Sequence, residues 1–122
     1  MARLLIVDDK ASNRELLRTT LEHAGHEIRE AEDGISSLIA MREWLPDLVL
    51  MDIQMPGLDG YAVLEKVLAD PDLRHIPLIA VTAYAMQGDS DRGKQAGFRD
   101  YLTKPVQFRR LLEAVDRQLK PE

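Results

Sequence analysis

Three aspartates carry the strongest chemical signal in the sequence. Asp8 and Asp9 follow the apolar run Leu4-Leu5-Ile6-Val7, and Asp52 follows Leu48-Val49-Leu50-Met51. Runs that apolar read as strands buried on both faces, the habit of a parallel sheet. Carboxylates at the carboxyl ends of such strands fall where open α/β folds place their ligands. Three anions converging there repel, so the cluster needs a cation or raised pKa values. An all-oxygen set with room for water suits Mg²⁺. The chemistry expected is therefore that of a metal-assisted phosphate site. Two more polar residues stand at strand ends: Thr82 after Leu78-Ile79-Ala80-Val81, and Lys104 after a strand at 98–102. A hydroxyl and an ammonium are the donors that hold phosphoryl oxygens. Lys104 precedes Pro105, and a cis X-Pro bond would aim the amine back over the sheet edge.

The elements that must position these groups alternate strand and helix five times. A buried strand at 3–7 leads to a helix from about Ser12 to Ala24, where Ser12 and Glu15 have capping-box spacing and Gly25 is a stop. His26 to Ala31 alternates in polarity as a second strand. A helix from about Gly34 to Leu45, ending at Pro46, is expected to turn Ile35, Leu38, Ile39 and Leu45 to one face. Residues 48–51 form the third strand, and after the loop 53–59 a third helix is marked by Leu64, Val67 and Leu68. Pro77 precedes the fourth strand, 78–81. A fourth helix runs between about Met86 and Gln95, stopped by Gly97, with Gly88 and Gly93 as soft points. The final helix carries Phe108, Leu111, Leu112, Val115 and Leu119 at helical spacing. Repeated βα units imply right-handed crossovers with helices on both faces. Strands one, three and four are wholly apolar and belong in the middle, whereas strands two and five carry charges. The expected fold is thus a flavodoxin-like, doubly wound, five-stranded parallel sheet of order 2-1-3-4-5 with five helices. Its switch point lies between the two strands that end in Asp8, Asp9 and Asp52.

The 122 residues suit one domain over 1–122, with no linker or output domain expected. Apolar residues make up 45% of the chain and no cysteine is present, which excludes disulfides, thiolate zinc sites and cysteine nucleophiles. No signal-peptide layout or membrane-length apolar stretch occurs, so a cytoplasmic protein without membrane contact is expected. A net charge of −5 without a basic stripe argues against nucleic-acid binding. Arg109-Arg110 is read as a solvated helix face. His23 and His26 straddle Gly25 and do not make a metal pair, and His75 has no partner.

Asp8-Asp9, then Met51-Asp52-Ile53-Gln54-Met55-Pro56-Gly57-Leu58-Asp59-Gly60, then Val81-Thr82-Ala83, then Tyr101-Leu102-Thr103-Lys104-Pro105 together resemble the receiver domain of two-component response regulators. The resemblance covers essentially the whole chain. It implies that Asp52 is the phosphoacceptor, attacking a phosphohistidine to form an acyl phosphate. It implies Mg²⁺ held by Asp9, Asp52 and the Gln54 backbone carbonyl, with Asp8 helping through water. Lys104 and Thr82 would bind phosphoryl oxygens, and Tyr101 would rotate from exposed to buried. Gln54 and Tyr84 occupy positions that tune phosphoryl lifetime, and the bulk of Tyr84 leads us to expect slow autodephosphorylation. Ala83 leaves the phosphate reachable.

The implied partners are a histidine kinase or histidine phosphotransfer protein, docking on the first helix around Asn13, Arg14 and Leu17. A downstream target would bind the helix four, strand five, helix five face, with the chain a monomer or a phosphorylation-dependent dimer. No enzymatic activity toward an external substrate is implied. An aspartyl phosphohydrolase is the enzymatic alternative, but Gln54 stands where such enzymes place a second acid, and no cap segment is present. A constitutive interaction domain would be favoured by a missing acid, threonine or lysine, and none is missing. Flavin binding lacks a phosphate-cradling loop after the first strand.

Overall fold

The computed structural model describes residues 2–83 and 89–120, with side chains throughout except at 89–91. Five parallel strands, β1 (Arg3–Val7), β2 (Glu27–Ala31), β3 (Leu48–Met51), β4 (Leu78–Thr82) and β5 (Asp100–Thr103), form one sheet in the order β2-β1-β3-β4-β5. The helices are α1 (Ala11–His23), α2 (Gly34–Trp44), α3 (Gly60–Leu68), α4 (Asp89–Ala96) and α5 (Phe108–Leu119).

Period-two alternation along the central strands sorts the core into two layers. Leu4, Ile6, Leu48, Leu50, Ile79 and Val81 meet Leu17 and Leu21 of α1 and Leu111, Ala114 and Val115 of α5. Leu5, Val7, Val49, Met51, Leu78 and Ala80 meet α2 and α3 through Met41, Trp44, Val63, Leu64 and Val67. β1, β3 and β4 are flanked on both edges, and their uniformly apolar runs follow from that.

Several local expectations differ from what is found. The capping box expected at Ser12 and Glu15 does not form. The Asp8 carboxylate instead accepts the Lys10 amide at 2.9 Å, so α1 starts at Ala11 with Lys10 as its cap. A reciprocal box forms at α2, where Asp33 accepts from the Ser36 amide and the Ser36 hydroxyl accepts from the Asp33 amide. That bond from the Ser36 amide is the main cause holding Asp33 below the usual carboxylate range.

The inward face of α2 is Gly34, Ser37, Met41 and Trp44, while Ile35 and Ile39 are 66% and 52% exposed. Close approach decides this: a Cβ at Gly34 would sit 2.8 Å from Leu58 Cβ and 2.9 Å from Val63 Cγ2. Only the small-residue face of the helix fits there. Leu45 lies beyond the helix as a left-handed cap with φ of 51° and is exposed. Phe108 and Leu68 are likewise about half exposed. Phe98, expected in the fifth strand, lies before it and packs edge-on against Tyr61, ring centres 5.6 Å apart. His26 lies outside β2, its Nδ1 accepting the Ala2 amide. Met86 to Gly88, expected to open the fourth helix, lie outside the described residues.

Candidate functional site

Register places the acids side by side. Val7 of β1 is aligned with Met51 of β3, so Asp8 and Asp52 leave the sheet together. The Asp52 amide donates to the Val7 carbonyl at 2.9 Å, and the Asp8 amide to the Ala31 carbonyl at 3.2 Å. Asp8 and Asp52 are buried and Asp9 is exposed, yet one carboxylate oxygen from each lies within 4.8 Å of the others. Hard, anionic oxygens so arranged, open to water on the Asp9 side, fit Mg²⁺.

Lys104 supplies the cation of the cluster. Its Nζ donates to Asp8 Oδ2 at 2.7 Å and to Asp52 Oδ2 at 3.3 Å. β5 pairs with β4 so that Thr82 is aligned with Thr103, and the Lys104 amide donates to the Thr82 carbonyl at 2.8 Å. The Lys104–Pro105 peptide is cis. Burial pushes the Asp52 carboxyl above its ordinary value, opposed by the Lys104 charge and reinforced by the Asp8 charge. The Gln54 amide, donating to Asp52 Oδ1 at 3.1 Å, also favours the ionised form.

The loop after Asp52 is fixed at its far end. Asp59 caps α3 by accepting the Ala62 amide at 2.9 Å. The Gly60 amide donates to the Ile53 carbonyl, and a Cβ at Gly60 would lie 2.8 Å from the Asp52 carbonyl oxygen. Glycine is thus required where α3 closes on the strand that presents the acid. Gly57, at φ of 76°, supplies the turn between them.

Thr82 is fully buried at the end of β4. Tyr101 is buried as well, lining a cleft of about 550 Å³ with Gln54, Met55, Asp59, Tyr61 and Arg92. Its ring lies inward against α4 at the one place α4 has no side chain: a Cβ at Gly93 would stand 2.7 Å from Tyr101 Cδ2. The exposed starting position expected for Tyr101 is therefore not the one found. Tyr84 lies outside the described residues.

On the first helix, Asn13 donates weakly to Asp8 Oδ1 at 3.5 Å. Leu17, expected as a docking residue, packs in the core with 6% exposure; its neighbour Leu16, 52% exposed, stands beside Phe108 at the surface. These two, with Asn13, Lys104, Pro105 and Val106, line a mainly apolar pocket of about 320 Å³ next to the site. Arg14 is committed to internal contacts, with Nη1 donating to the Asp8 carbonyl at 2.7 Å and Nε to Glu30 Oε1 at 2.9 Å. Sequence reasoning missed the role of Glu30. The pair is 16 residues apart on different elements, and neither period nor motif links them.

A family model described as the response regulator receiver domain matches residues 4–116. The polar-differentiation response regulator DivK of Brucella anthropi is 42% identical over 112 residues, covering 92% of this chain and 91% of that protein. Among solved structures, the signal receiver domain of a signal transduction histidine kinase from Syntrophus aciditrophicus aligns with a TM-score of 0.88 at 33% identity, over 98% of this chain and 90% of that one. Chemotaxis protein CheY4 of Vibrio cholerae aligns with a TM-score of 0.89 at 29% identity, over 98% and 99% of the two chains.

Proposed function

The chain belongs to the response regulator receiver domain family of two-component signalling, and from that premise we propose that it is a phosphoacceptor switch of a phosphorelay. The phosphoryl group comes from a histidine kinase or a histidine phosphotransfer protein. An Asp52 carboxylate oxygen bonds to phosphorus while the N–P bond of the phosphohistidine breaks, its electron pair staying on the imidazole nitrogen. The product is an acyl phosphate on Asp52. The observation that carries this reading is the triad of acidic oxygens within 4.8 Å, with one lysine ammonium bridging Asp8 and Asp52.

Held by Asp9, Asp52 and the Gln54 carbonyl, with Asp8 acting through water, Mg²⁺ would offset charge on the meeting carboxylate and phosphoryl oxygens. Burial makes the ionised Asp52 a stronger base and nucleophile than a solvated aspartate. Lys104, already 3.3 Å from the attacking group, is placed to pair with a phosphoryl oxygen. Thr82 takes another, and Gln54 and Tyr84 tune the lifetime of the acyl phosphate. Because Tyr101 is already inward, phosphate acts by changing how firmly the ring and Thr82 are held, a shift between populations.

The donor helix docks on the exposed Leu16 and Phe108 beside the site. The output face is α4, β5 and α5, through contact with a target protein or a second copy of the chain. The protein acts in the cytoplasm, binds no nucleic acid, and catalyses nothing beyond its own phosphotransfer and slow autodephosphorylation. Among the described residues no helix is long and apolar enough to cross a membrane.

Intact mass after incubation with Mg²⁺ and a small-molecule phosphodonor tests the reading. Wild type should gain one phosphoryl group only with Mg²⁺, and Asp52→Asn should gain none. No gain by wild type, with Mg²⁺ shown to bind, would leave a constitutive interaction domain.

A further inference from the structure

Asp9 is the least secured member of the acidic triad. Asp8 has its carboxylate bonded by the Lys10 amide at 2.9 Å and by Lys104 at 2.7 Å. Asp52 is buried and bonded by Lys104 and the Gln54 amide. The Asp9 carboxylate is exposed and makes no hydrogen bond or ion pair among the described residues. Its place near the other two is set by backbone alone. The peptide that sets it begins at the Asp8 carbonyl, which accepts from Arg14 Nη1 at 2.7 Å.

Arg14 is itself held. Its Nε donates to Glu30 Oε1 on the edge strand at 2.9 Å, and Glu30 Oε2 accepts from Arg18 Nη1 at 2.6 Å. A guanidinium fork spans both partners in one plane, which a lysine ammonium cannot do. The Arg14 side chain is 15% exposed, with its guanidinium engaged by Glu30 and the Asp8 carbonyl.

We propose that Arg14 is a positioning residue for the acidic turn: anchored on Glu30, it fixes the Asp8–Asp9 peptide so that the Asp9 carboxylate stays with those of Asp8 and Asp52. The inference rests on the phosphoacceptor reading above. It assigns to Arg14 a role in cation affinity, not in partner docking.

Charge and position oppose each other in sign here. Arg14 is a cation beside an acidic cluster, so by charge alone its removal tightens binding of a divalent cation. If it positions Asp9, removal weakens binding, by the 10–100-fold typical of lost outer partners of a metal ligand. Arg14→Met keeps the apolar stem and removes the charge; Arg14→Lys keeps the charge and loses the fork. Mg²⁺ affinity of the full chain would be read by titration calorimetry, with thermal unfolding in metal-free buffer alongside. The expectation is roughly tenfold weaker or greater loss in both variants, and a smaller loss in Glu30→Gln, whose amide oxygen can still accept from Arg14.

A merely structural arginine would lower the unfolding temperature and leave Mg²⁺ affinity alone. Tighter binding in Arg14→Met, or unchanged binding in Arg14→Lys, overturns the inference even if Arg14→Met folds poorly. Wild type binding Mg²⁺ and taking phosphate while both variants bind equally well defeats the inference alone. Wild type binding no Mg²⁺ defeats the phosphoacceptor reading with it.

Discussion

Two clusters of charge, one on the edge strand β2 and one at the ends of β1 and β3, are built with opposite stoichiometry. At the edge, one carboxylate, Glu30, receives two guanidinium groups, Arg14 at 2.9 Å and Arg18 at 2.6 Å. At the strand ends, one ammonium serves two buried carboxylates while a third stands close by. The electrostatic outcomes are opposite too. The Arg18 bond, aided by Arg14, holds Glu30 below the usual glutamate value, whereas burial holds Asp52 above the usual aspartate value despite Lys104. A supporting cluster is oversupplied with donors. The candidate site is undersupplied, and that deficit is the electrostatic ground on which the proposed Mg²⁺ binding and phosphoryl capture rest.

The comparison breaks most visibly at Lys104. Lys104→Met leaves two buried carboxylates without their shared cation. Urea unfolding at neutral pH without Mg²⁺ should show a loss of about 2 kcal/mol, less than for a fully buried pair because the ammonium is partly exposed. With the lysine gone Asp52 rises further, so part of the loss should return as the pH is lowered. An unchanged midpoint would mean the ammonium offsets nothing.

Neutralising one acid in each cluster should move stability in opposite directions. Asp52→Asn removes a carboxylate whose charged form is disfavoured by folding, and should stabilise the metal-free chain. Glu30→Gln removes one whose charged form is favoured, and should destabilise it by less than about 1 kcal/mol, the more exposed setting and added salt both shrinking the effect. Shifts of the same sign in thermal unfolding would refute the contrast.

The smallest and sharpest effect is in pH. Asp52, raised in the folded state, adds stability below its unfolded value and loses it as pH rises through its folded value. Glu30, lowered, adds stability above its unfolded value and loses it as pH falls through its folded value. The gain from Asp52→Asn should therefore fade on acidification just above the ordinary aspartate range. The deficit of Glu30→Gln should persist to below the ordinary glutamate value. A pH series of unfolding midpoints for the three chains separates the two windows.

Strand ends and strand order were legible in the sequence because both follow from polarity. An acid directly after four apolar residues must sit at the carboxyl end of a buried strand, and charged strands must flank uncharged ones. The acids and Thr82 could be placed from that, and Lys104 only with the help of the following Pro105 and the strand order. What was not legible depends on how closely elements approach. α2 is apolar or small nearly all round, so periodicity could not choose between the Ile35–Ile39 face and the Gly34–Ser37 face; the proximity of Leu58 and Val63 chooses. Leu16 and Leu17 are equally apolar, and only the rotation of α1 buries one and exposes the other. Asp100 reads as a solvent-facing edge charge, yet it is buried against Arg117 at 3.0 Å, a partner from another element.

Gly93 admits the Tyr101 ring to α4 by lacking a methyl group. The same omission weakens the helix, since glycine costs a helix interior about 1 kcal/mol relative to alanine. Ring and helix are in consequence thermodynamic partners, each making good what the other lacks: the ring fills the notch, and the filled notch supports the turn. Reciprocity then requires that whatever draws the ring inward also raises the helical order of α4, and whatever grips an ordered α4 from outside draws the ring inward by the same free energy.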